Sequence, residues 1–207
     1  MAHDQRRRTY WHPEKNEDGS DDYLCFSPFI TCYFAFSLDH VASVDFLDDT
    51  EATIAAQSIK SGIYVGLAEQ GIDLPIPQRP CHRLRIRLLS RGLPTARDLE
   101  KHCVQASMCL PVSPAVFHPT GRPPAITSKP FPWSDMYHHS PMYTTLRVPT
   151  CTQDYSAAVF SSEQDVSRLR TAWNEDETER KALLEAAQSH DVDGTSLYRD
   201  QTHEMAQ

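Results

Sequence analysis

The pattern of apolar and polar residues along positions 50–89 predicts a helix, an extended link and a strand. In the first part, apolar residues recur at steps of three and four, the spacing of one helical face, at Ala52, Ala55, Ile59, Ile63 and Leu67. Thr50 can cap the start of this helix, while Gly71 and Pro75 can end it. Gly62 and Gly66 lie one turn apart within it, so we expect another helix or strand to contact the pair closely.

The second part of the pattern, residues 82–89, alternates as a half-buried strand does. Its apolar side would consist of Leu84, Ile86 and Leu88. Its basic side would consist of Arg83, Arg85 and Arg87, with Arg91 in the turn that follows. The sequence therefore predicts a strand that presents arginines on one face of a sheet.

Three other patterns predict elements on either side of this unit. Residues 23–36 are rich in aromatic and β-favouring residues on both faces, which predicts a central strand. Residues 37–46 predict a short helical turn whose inward side consists of Val41, Val44 and Leu47. Thr95 and Asp98 resemble a capping box, and the helix that follows would carry on one face Leu99, Cys103, Ala106 and Leu110.

Residues 110–149 carry nine of the fifteen prolines, so no helix is expected there. Aromatic side chains lie between these prolines, which indicates an ordered, irregular wrap on the core instead of a linker. Residues 142–148 are expected to add another strand to the sheet.

A last helical pattern begins at Ser162 and Asp165, which resemble a second capping box. Its apolar stripe consists of Val166, Leu169 and Trp173. Asn174 and Glu177 could begin a new helix, so one long helix and two shorter ones are both compatible with the pattern up to about residue 189.

Together these elements predict the α+β class, with a small mixed sheet covered by helices, an ordered proline-rich irregular segment and disordered termini. The predicted organisation is a disordered arm at residues 1–22, a single core at 23–149 that includes the wrap at 110–149, acidic helices at 150–190 packed on the core, and a disordered tail at 191–207.

Length and composition fit one core, because the chain has 207 residues and 40% hydrophobic content. No apolar run reaches the roughly 20 residues that a membrane helix needs, and no signal-peptide pattern is found. We therefore expect an intracellular protein that does not cross a membrane. In that reducing setting the six cysteines are expected to be unpaired thiols.

The net charge of −8 is unevenly distributed along the chain. Residues 150–207 carry −7, whereas residues 23–149 carry +1. Within the latter, residues 37–73 carry −6 and residues 79–101 carry +5. The arginine strand is therefore expected to pair with the acidic helical region of its own domain.

Cysteine and histidine residues between positions 81 and 139 suggest a zinc site, because zinc prefers four nitrogen or sulfur ligands. The candidate ligands are Cys81, His82, Cys103, Cys109 and His118. Their spacing matches no common structural zinc motif, since no two cysteines are separated by two residues. A zinc-dependent enzyme or a zinc-stabilised module is therefore an alternative prediction, and ordinary core and loop positions are the main one.

The sequence gives less support to nucleophilic catalysis, phosphate binding and nucleic-acid binding. His102 and Cys103 would point about 100° apart on a helix, so they cannot act as a base and nucleophile pair. The glycines form no phosphate-binding loop. The arginine strand could contact nucleic acid, but the protein is acidic and no aromatic residue alternates with the arginines.

The sequence therefore predicts a small protein of the cytoplasm, the nucleus or both, which binds other proteins in a regulatory or adaptor role and has no enzymatic activity or cofactor. The predicted contact residues are Arg83, Arg85, Arg87, Arg91 and Trp173. A zinc protein and a nucleic-acid-associated factor are the two alternatives. The sequence leaves the partner and the oligomeric state open.

Overall fold

The protein is built around an antiparallel sheet with one long helix packed on one of its faces. The computed structural model describes the backbone of residues 14–19, 21–22, 24–74 and 76–201, and the side chains of these residues except 14, 21, 24 and 189–201. In chain order, the strands are β1 (Glu14–Lys15), β2 (Asp21–Asp22), β3 (Leu24–Cys25), β4 (Cys32–Ser37), β5 (Ile63–Gly71), β6 (Cys81–Arg91), β7 (Cys109–Pro111), β8 (Met136–Pro149), β9 (Gln153–Asp154) and β10 (Val159–Phe160). The helices are α1 (His40–Val44), α2 (Thr50–Ser58), α3 (Ala96–His102) and α4 (Glu163–Gln201), with a 3-10 helix at Asp45–Leu47.

Six strands form one sheet in the order β10, β4, β5, β6, β8, β7, and every neighbouring pair in it is antiparallel. Two further sheets have two strands each: β1 pairs with β2, and β3 pairs with β9. The predicted α+β class is therefore confirmed, but the prediction of a mixed sheet is wrong.

The main core lies between this sheet and α4. Tyr33, Leu67 and Leu89 form one buried cluster with Leu169 and Trp173 of α4. A second cluster lies on the opposite face of the sheet and centres on Ala68, Leu84 and Ile86. The long helix thus covers one face of the sheet. On the other face, apolar side chains of the strands pack against one another.

The predicted basic strand is confirmed as β6. Leu84 and Ile86 are buried, whereas Arg83 on the opposite side is exposed. The alternation of apolar residues and arginines therefore predicted the buried and exposed faces of this strand correctly.

The predicted helix at residues 50–71 is correct only in its first half, because the chain becomes a strand after it. α2 ends at Ser58, and Ile59 has extended backbone angles. β5 then pairs with β4 on one side and β6 on the other, so two ladders replace the expected helical hydrogen bonds. Leu67 is buried by the sheet and α4, while its supposed helical neighbours Ile59 and Ile63 are 54% and 83% exposed.

Gly66 confirms the expected close contact, although it lies in a strand instead of a helix. A Cβ at this position would overlap a methyl group of Ile86 and lie 3.1 Å from the carbonyl oxygen of Arg87. Gly62 meets only the side chain of Tyr64, at 3.7 Å, so the close contact involves one glycine of the pair.

The N-terminal predictions are partly wrong. The strand expected at 23–36 is divided into β3 and β4, and β4 lies near the edge of the sheet, since only the two-residue β10 follows it. The helical turn expected at 37–46 exists as α1, but Val41 and Leu47 are exposed instead of inward-facing. Residues 1–13 of the predicted arm lie outside the described residues, and residues 14–15 and 21–22 form the β1 and β2 hairpin.

The capping box at the start of α3 is confirmed, since the Asp98 carboxylate accepts the Thr95 amide at 2.7 Å. The helix is shorter than predicted because Cys103 adopts a left-handed conformation with φ of 52°. Cys109 therefore lies in β7 and not on this helix.

The proline-rich residues contribute β7 and β8, and no described helix lies within residues 110–149. The strand predicted at 142–148 is confirmed and begins earlier, at Met136. Phe131 is buried in the core, whereas Val116 and Phe117 are 71% and 64% exposed. The apolar side chains of this segment therefore contact the core only in part.

The C-terminal pattern forms one long helix, α4, and not two shorter ones. Ser162 accepts the amide of Asp165 at 3.1 Å, and the predicted stripe of Val166, Leu169 and Trp173 is buried. The helix continues to Gln201, so the tail predicted to begin at residue 191 is helical over its described part. Residues 202–207 lie outside the described residues.

Candidate interaction surface

One side of β8 has no strand beside it over residues 142–148. β7 pairs with β8 only at residues 137–139, whereas β6 pairs with the other side along residues 143–149. Within the described ranges, no other segment makes backbone hydrogen bonds to the outer side of residues 142–148. This stretch, which we name the β8 edge, leaves backbone N–H and C=O groups available to an extended chain.

The side chains on the two faces beside the β8 edge differ in chemistry. On one face, the directly opposed pairs of β6 and β8 are Arg87 with Tyr143, Arg85 with Thr145, and Arg83 with Arg147. On the other face, the pairs are Ile86 with Thr144, Leu84 with Leu146, and His82 with Val148. An extended chain added to this edge would have Arg147 as its charged neighbour on one face and Leu146 and Val148 as apolar neighbours on the other, with the β6 side chains one strand further in.

Two of the predicted contact arginines bind acidic residues of the protein itself. The Arg87 side chain is 12% exposed, binds the Glu69 carboxylate at 2.7 Å and stacks on the Trp173 ring at 4.2 Å. Arg83 donates hydrogen bonds to Asp73, which lowers the pKa of Asp73 to about 2. The expected pairing with acidic residues 37–73 is confirmed for these two, although their partners lie on β5 and the turn after it.

Arg85 and Arg147 have no carboxylate partner among the residues that the structure describes. The Arg85 guanidinium lies 5.7 Å from the centre of the Tyr143 ring, and its Nε is buried without a hydrogen-bond partner. Arg147 is exposed and lies directly opposite Arg83. Because Asp73 already neutralises Arg83, the charge that an added anionic group would compensate here is that of Arg147.

The other two predicted contact residues lie apart from the β8 edge. Trp173 is 2% exposed and packs edge-on against His138, with ring centres 5.6 Å apart. It is a core residue, so the prediction that it contacts a partner is not supported by its position. Arg91 is 70% exposed at the far end of β6, with its Nε 3.9 Å from Asp135.

A cleft of about 350 Å³ lies at the beginning of the β8 edge. Its lining consists of Asp98, His102, Val104, His139, Pro141, Met142 and Arg180. The Arg180 guanidinium is bound to Glu177 at 2.9 Å, so its charge is largely compensated. Val104, Pro141 and Met142 supply the apolar part of this lining, which could accept an apolar side chain of a strand added to the edge.

The five predicted zinc ligands lie in three separate parts of the fold. Cys81 and His82 begin β6, Cys103 follows α3, and Cys109 and His118 lie in and after β7. In the described part of the chain, no three His, Cys, Asp or Glu side chains are grouped as metal ligands. Zinc binding therefore stays a prediction based on residue types.

Both candidate histidines use their ring nitrogens within the protein. The His82 Nε2 accepts the Ile76 amide at 3.0 Å, and its Nδ1 lies 2.8 Å from the Thr150 hydroxyl. The His118 Nδ1 accepts the Thr120 amide at 3.2 Å, and its Nε2 lies 3.1 Å from the carbonyl of Ser107. These contacts give each imidazole a role in fixing a turn or a strand end.

The six cysteines should differ in reactivity toward an alkylating reagent. All six are unpaired, and burial raises the pKa of Cys32 and Cys109 to about 12, so these two remain thiols at neutral pH. We expect exposed Cys151 to react first and these two only after unfolding, as measured by mass spectrometry of timed iodoacetamide reactions. Early modification of Cys32 or Cys109 would contradict the fold.

The same experiment tests the zinc prediction. If metal masked Cys81 or Cys103, a chelator would make them react faster, and elemental analysis would find about one zinc per chain. Equal rates with and without the chelator, together with no metal, would remove this alternative.

Comparisons of this chain with protein-family models, with curated proteins and with solved structures found no match. Among the described residues, no helix has both the length and the apolar character needed to cross a bilayer.

Sequence reasoning found the arginines of β6 but missed Arg147 and the β8 edge. Leu146 and Val148 flank Arg147 with the same alternation as in β6, and this signal could have identified it. The unpaired edge could not be read from the sequence, because it depends on where β7 stops pairing.

Proposed function

We propose that this protein binds other proteins by adding an extended segment of the partner to the β8 edge, in a non-enzymatic regulatory or adaptor role. The observation that carries the proposal is the unpaired outer side of residues 142–148. Unpaired strand edges bind extended segments through main-chain hydrogen bonds, and the neighbouring side chains supply specificity.

The flanking side chains define the chemistry of the partner segment. An acidic residue of the segment would lie beside Arg147, whose charge has no carboxylate partner in the described structure. Arg85, which also has no such partner there, lies one strand further in, opposite Thr145. Apolar residues on either side of that acidic residue would lie beside Leu146 and Val148. The preferred partner is thus an extended segment in which acidic and apolar residues alternate.

Nucleic acid is a poorer match to this surface than an acidic peptide. Arg83 and Arg87 already bind carboxylates, and the net charge of the chain is −8. A phosphate backbone would also use neither the unpaired main-chain groups nor the apolar face.

The proposal retains a location in the cytoplasm, the nucleus or both. Its support is the set of six unpaired cysteines, since a reducing compartment keeps thiols in this state.

A short peptide of alternating glutamate and valine is the probe for this proposal. We expect it to shift the NMR amide signals of residues 142–148 in the full chain, and we expect Arg147→Glu to weaken binding at least tenfold, or about 1.4 kcal/mol. Lys60→Glu makes the same charge change at an exposed residue just before β5, a strand that β6 separates from β8, so it is the matched control.

A second probe separates strand addition from charge attraction alone. The same peptide with N-methyl groups at alternate positions keeps its charges but cannot form the ladder, so it should not bind. Equal binding of the N-methylated peptide, or no shift at residues 142–148, would refute the proposal.

A further inference from the structure

The segment between β4 and β5 forms a small helical unit, residues 38–62, which we name the helical excursion. α1 and α2 contact each other, and in the part of the chain that the structure describes no comparable contact links either of them to the sheet. Asp39 caps α1 by accepting the Ala42 amide at 2.9 Å. Asp49, and not Thr50 as predicted, caps α2 by accepting the Glu51 amide at 2.8 Å. Its conformation is therefore fixed by local hydrogen bonds.

Large apolar side chains of the helical excursion and the adjoining start of β5 are exposed. The exposed fractions are 72% for Phe46, 51% for Leu47, 61% for Ile54, 54% for Ile59 and 83% for Ile63. Ala56 is the buried residue of α2. Large apolar side chains left exposed close together in the chain favour an interaction surface, because a soluble protein rarely exposes a large apolar patch without a use for it.

The charges of the helical excursion select among the partners that could cover it. Its acidic residues are Asp39, Asp45, Asp48, Asp49 and Glu51, and its one basic residue is Lys60. A second copy of the same surface would add a like charge of equal size, which opposes self-association. A segment with apolar residues on one face and lysine or arginine around them complements both features.

We propose that the helical excursion is a second docking site, which binds a basic amphipathic helix of a partner protein. Phe46, Ile54 and Ile59 would contact the apolar face of that helix, and Asp45, Asp48 and Glu51 would contact its basic residues. This site differs from the β8 edge in its place in the fold and in the sign of its charge. β5 and β6 lie between β4 and β8 in the sheet, so the two sites are on separate parts of it. Two sites of opposite preference would let the protein join a basic partner to an acidic one.

The probe for this site is a synthetic amphipathic helix of leucine, alanine and lysine, titrated against the full chain by calorimetry. We expect saturable binding that weakens with added salt and falls about tenfold or more in Phe46→Gln and in Ile54→Gln. Both side chains are mostly exposed, so the melting temperature should stay unchanged.

Two matched controls accompany these variants. Phe117→Gln removes a similarly exposed aromatic residue outside the helical excursion, 64% exposed against 72% for Phe46, and should leave binding unchanged. Arg147→Glu should also leave binding of the basic helix unchanged, which separates this site from the β8 edge. Each site has its own probe, so a negative result at one site does not refute the proposal for the other.

Other occupants give distinct results that would overturn the proposal. A dimer that Phe46→Gln converts to a monomer in sedimentation velocity would assign the surface to a second copy. Replacing Arg6, Arg7 and Arg8 by glutamate would strengthen probe binding if the chain's own first residues occupied the site. Attachment to neutral phosphatidylcholine vesicles that is lost in Phe46→Gln would assign the surface to lipid, and absence of probe binding would also overturn the proposal.

Discussion

Asp176→Ala is expected to lower the free energy of unfolding by about 3–5 kcal/mol, because it leaves a desolvated arginine without its partner. Asp176 is 2% exposed on α4, and its carboxylate accepts two hydrogen bonds from Arg122 at 2.6 and 2.5 Å. The Ser140 hydroxyl also donates to it. One carboxylate thus joins α4 to β8 and to the segment between β7 and β8.

Thermal and urea unfolding measure this loss, which corresponds to a melting temperature lower by roughly 10 °C for a chain of this size. The matched control is Asp135→Ala, which removes the 3.9 Å pair with Arg91, where the side chains are 50% and 70% exposed. We expect less than about 0.5 kcal/mol there, as for most exposed ion pairs. Equal losses in the two variants would show that the Asp176 carboxylate is not buried in this network.

A double-mutant cycle separates the pair itself from the cost of leaving one charge alone. Arg122→Met should destabilise as much as Asp176→Ala, since it leaves the carboxylate buried and unpaired. The double variant should be less destabilised than the sum of the two single variants. Additive losses would mean that the two side chains act independently.

Lowering the pH from 7 to 5 is expected to cost about 2 kcal/mol of unfolding free energy through His138 alone. Burial lowers the pKa of His138 to about 3 from its ordinary value of 6.5, with smaller contributions from nearby Arg87 and His139. Its Nε2 lies 3.0 Å from the Tyr33 hydroxyl, and its Nδ1 is buried without a hydrogen-bond partner. A proton added there would gain no contact to offset its burial.

The sign follows from proton binding in the two states. At pH 5 the unfolded chain holds a proton on this imidazole and the folded chain does not, so acid favours unfolding. The loss begins as the pH falls through about 6.5 and continues until about 3. Burial also lowers the pKa of His118 and His139, so these two act in the same direction.

Two non-titrating variants test the assignment to His138. His138→Gln keeps a polar group near the Tyr33 hydroxyl and His138→Phe does not, so their stabilities at pH 7 should differ. Both should lose about 2 kcal/mol less than the original chain between pH 7 and pH 5. A pH dependence unchanged in both variants, or an NMR titration of this imidazole near pH 6, would contradict the buried neutral state.

Local sequence signals identified the elements whose ends are fixed by their own residues. The capping residues Thr95 and Ser162 mark the starts of α3 and α4, because a cap needs only side chains three positions apart. The alternation of residues 82–89 identified β6, because a strand half-buried on a sheet has a period of two. The stripe of α4 was equally clear because it lies on one covered face.

The wrong predictions occur where distant strands compete with local helical spacing. Residues 63–71 carry the spacing of a helix, yet pairing with β4 and β6 makes them the third strand of the sheet. Val41, Leu47 and Ile59 of the helical excursion were assigned inward positions because they are apolar, and the fold leaves them exposed. Trp173 lies on the predicted apolar stripe of α4 and is a core residue, so its position does not support its predicted role as a partner contact.

Residues within a few turns of one another were sufficient to predict the basic strand β6, the starts of α3 and α4 and the covered stripe of α4, and together these elements indicated the α+β class. The pairing of the strands, the neutralisation of arginines by Glu69 and Asp73, and the unpaired part of β8 became known only from the folded protein. These properties depend on contacts between residues far apart in the chain, and the pattern within a single segment does not predict such contacts.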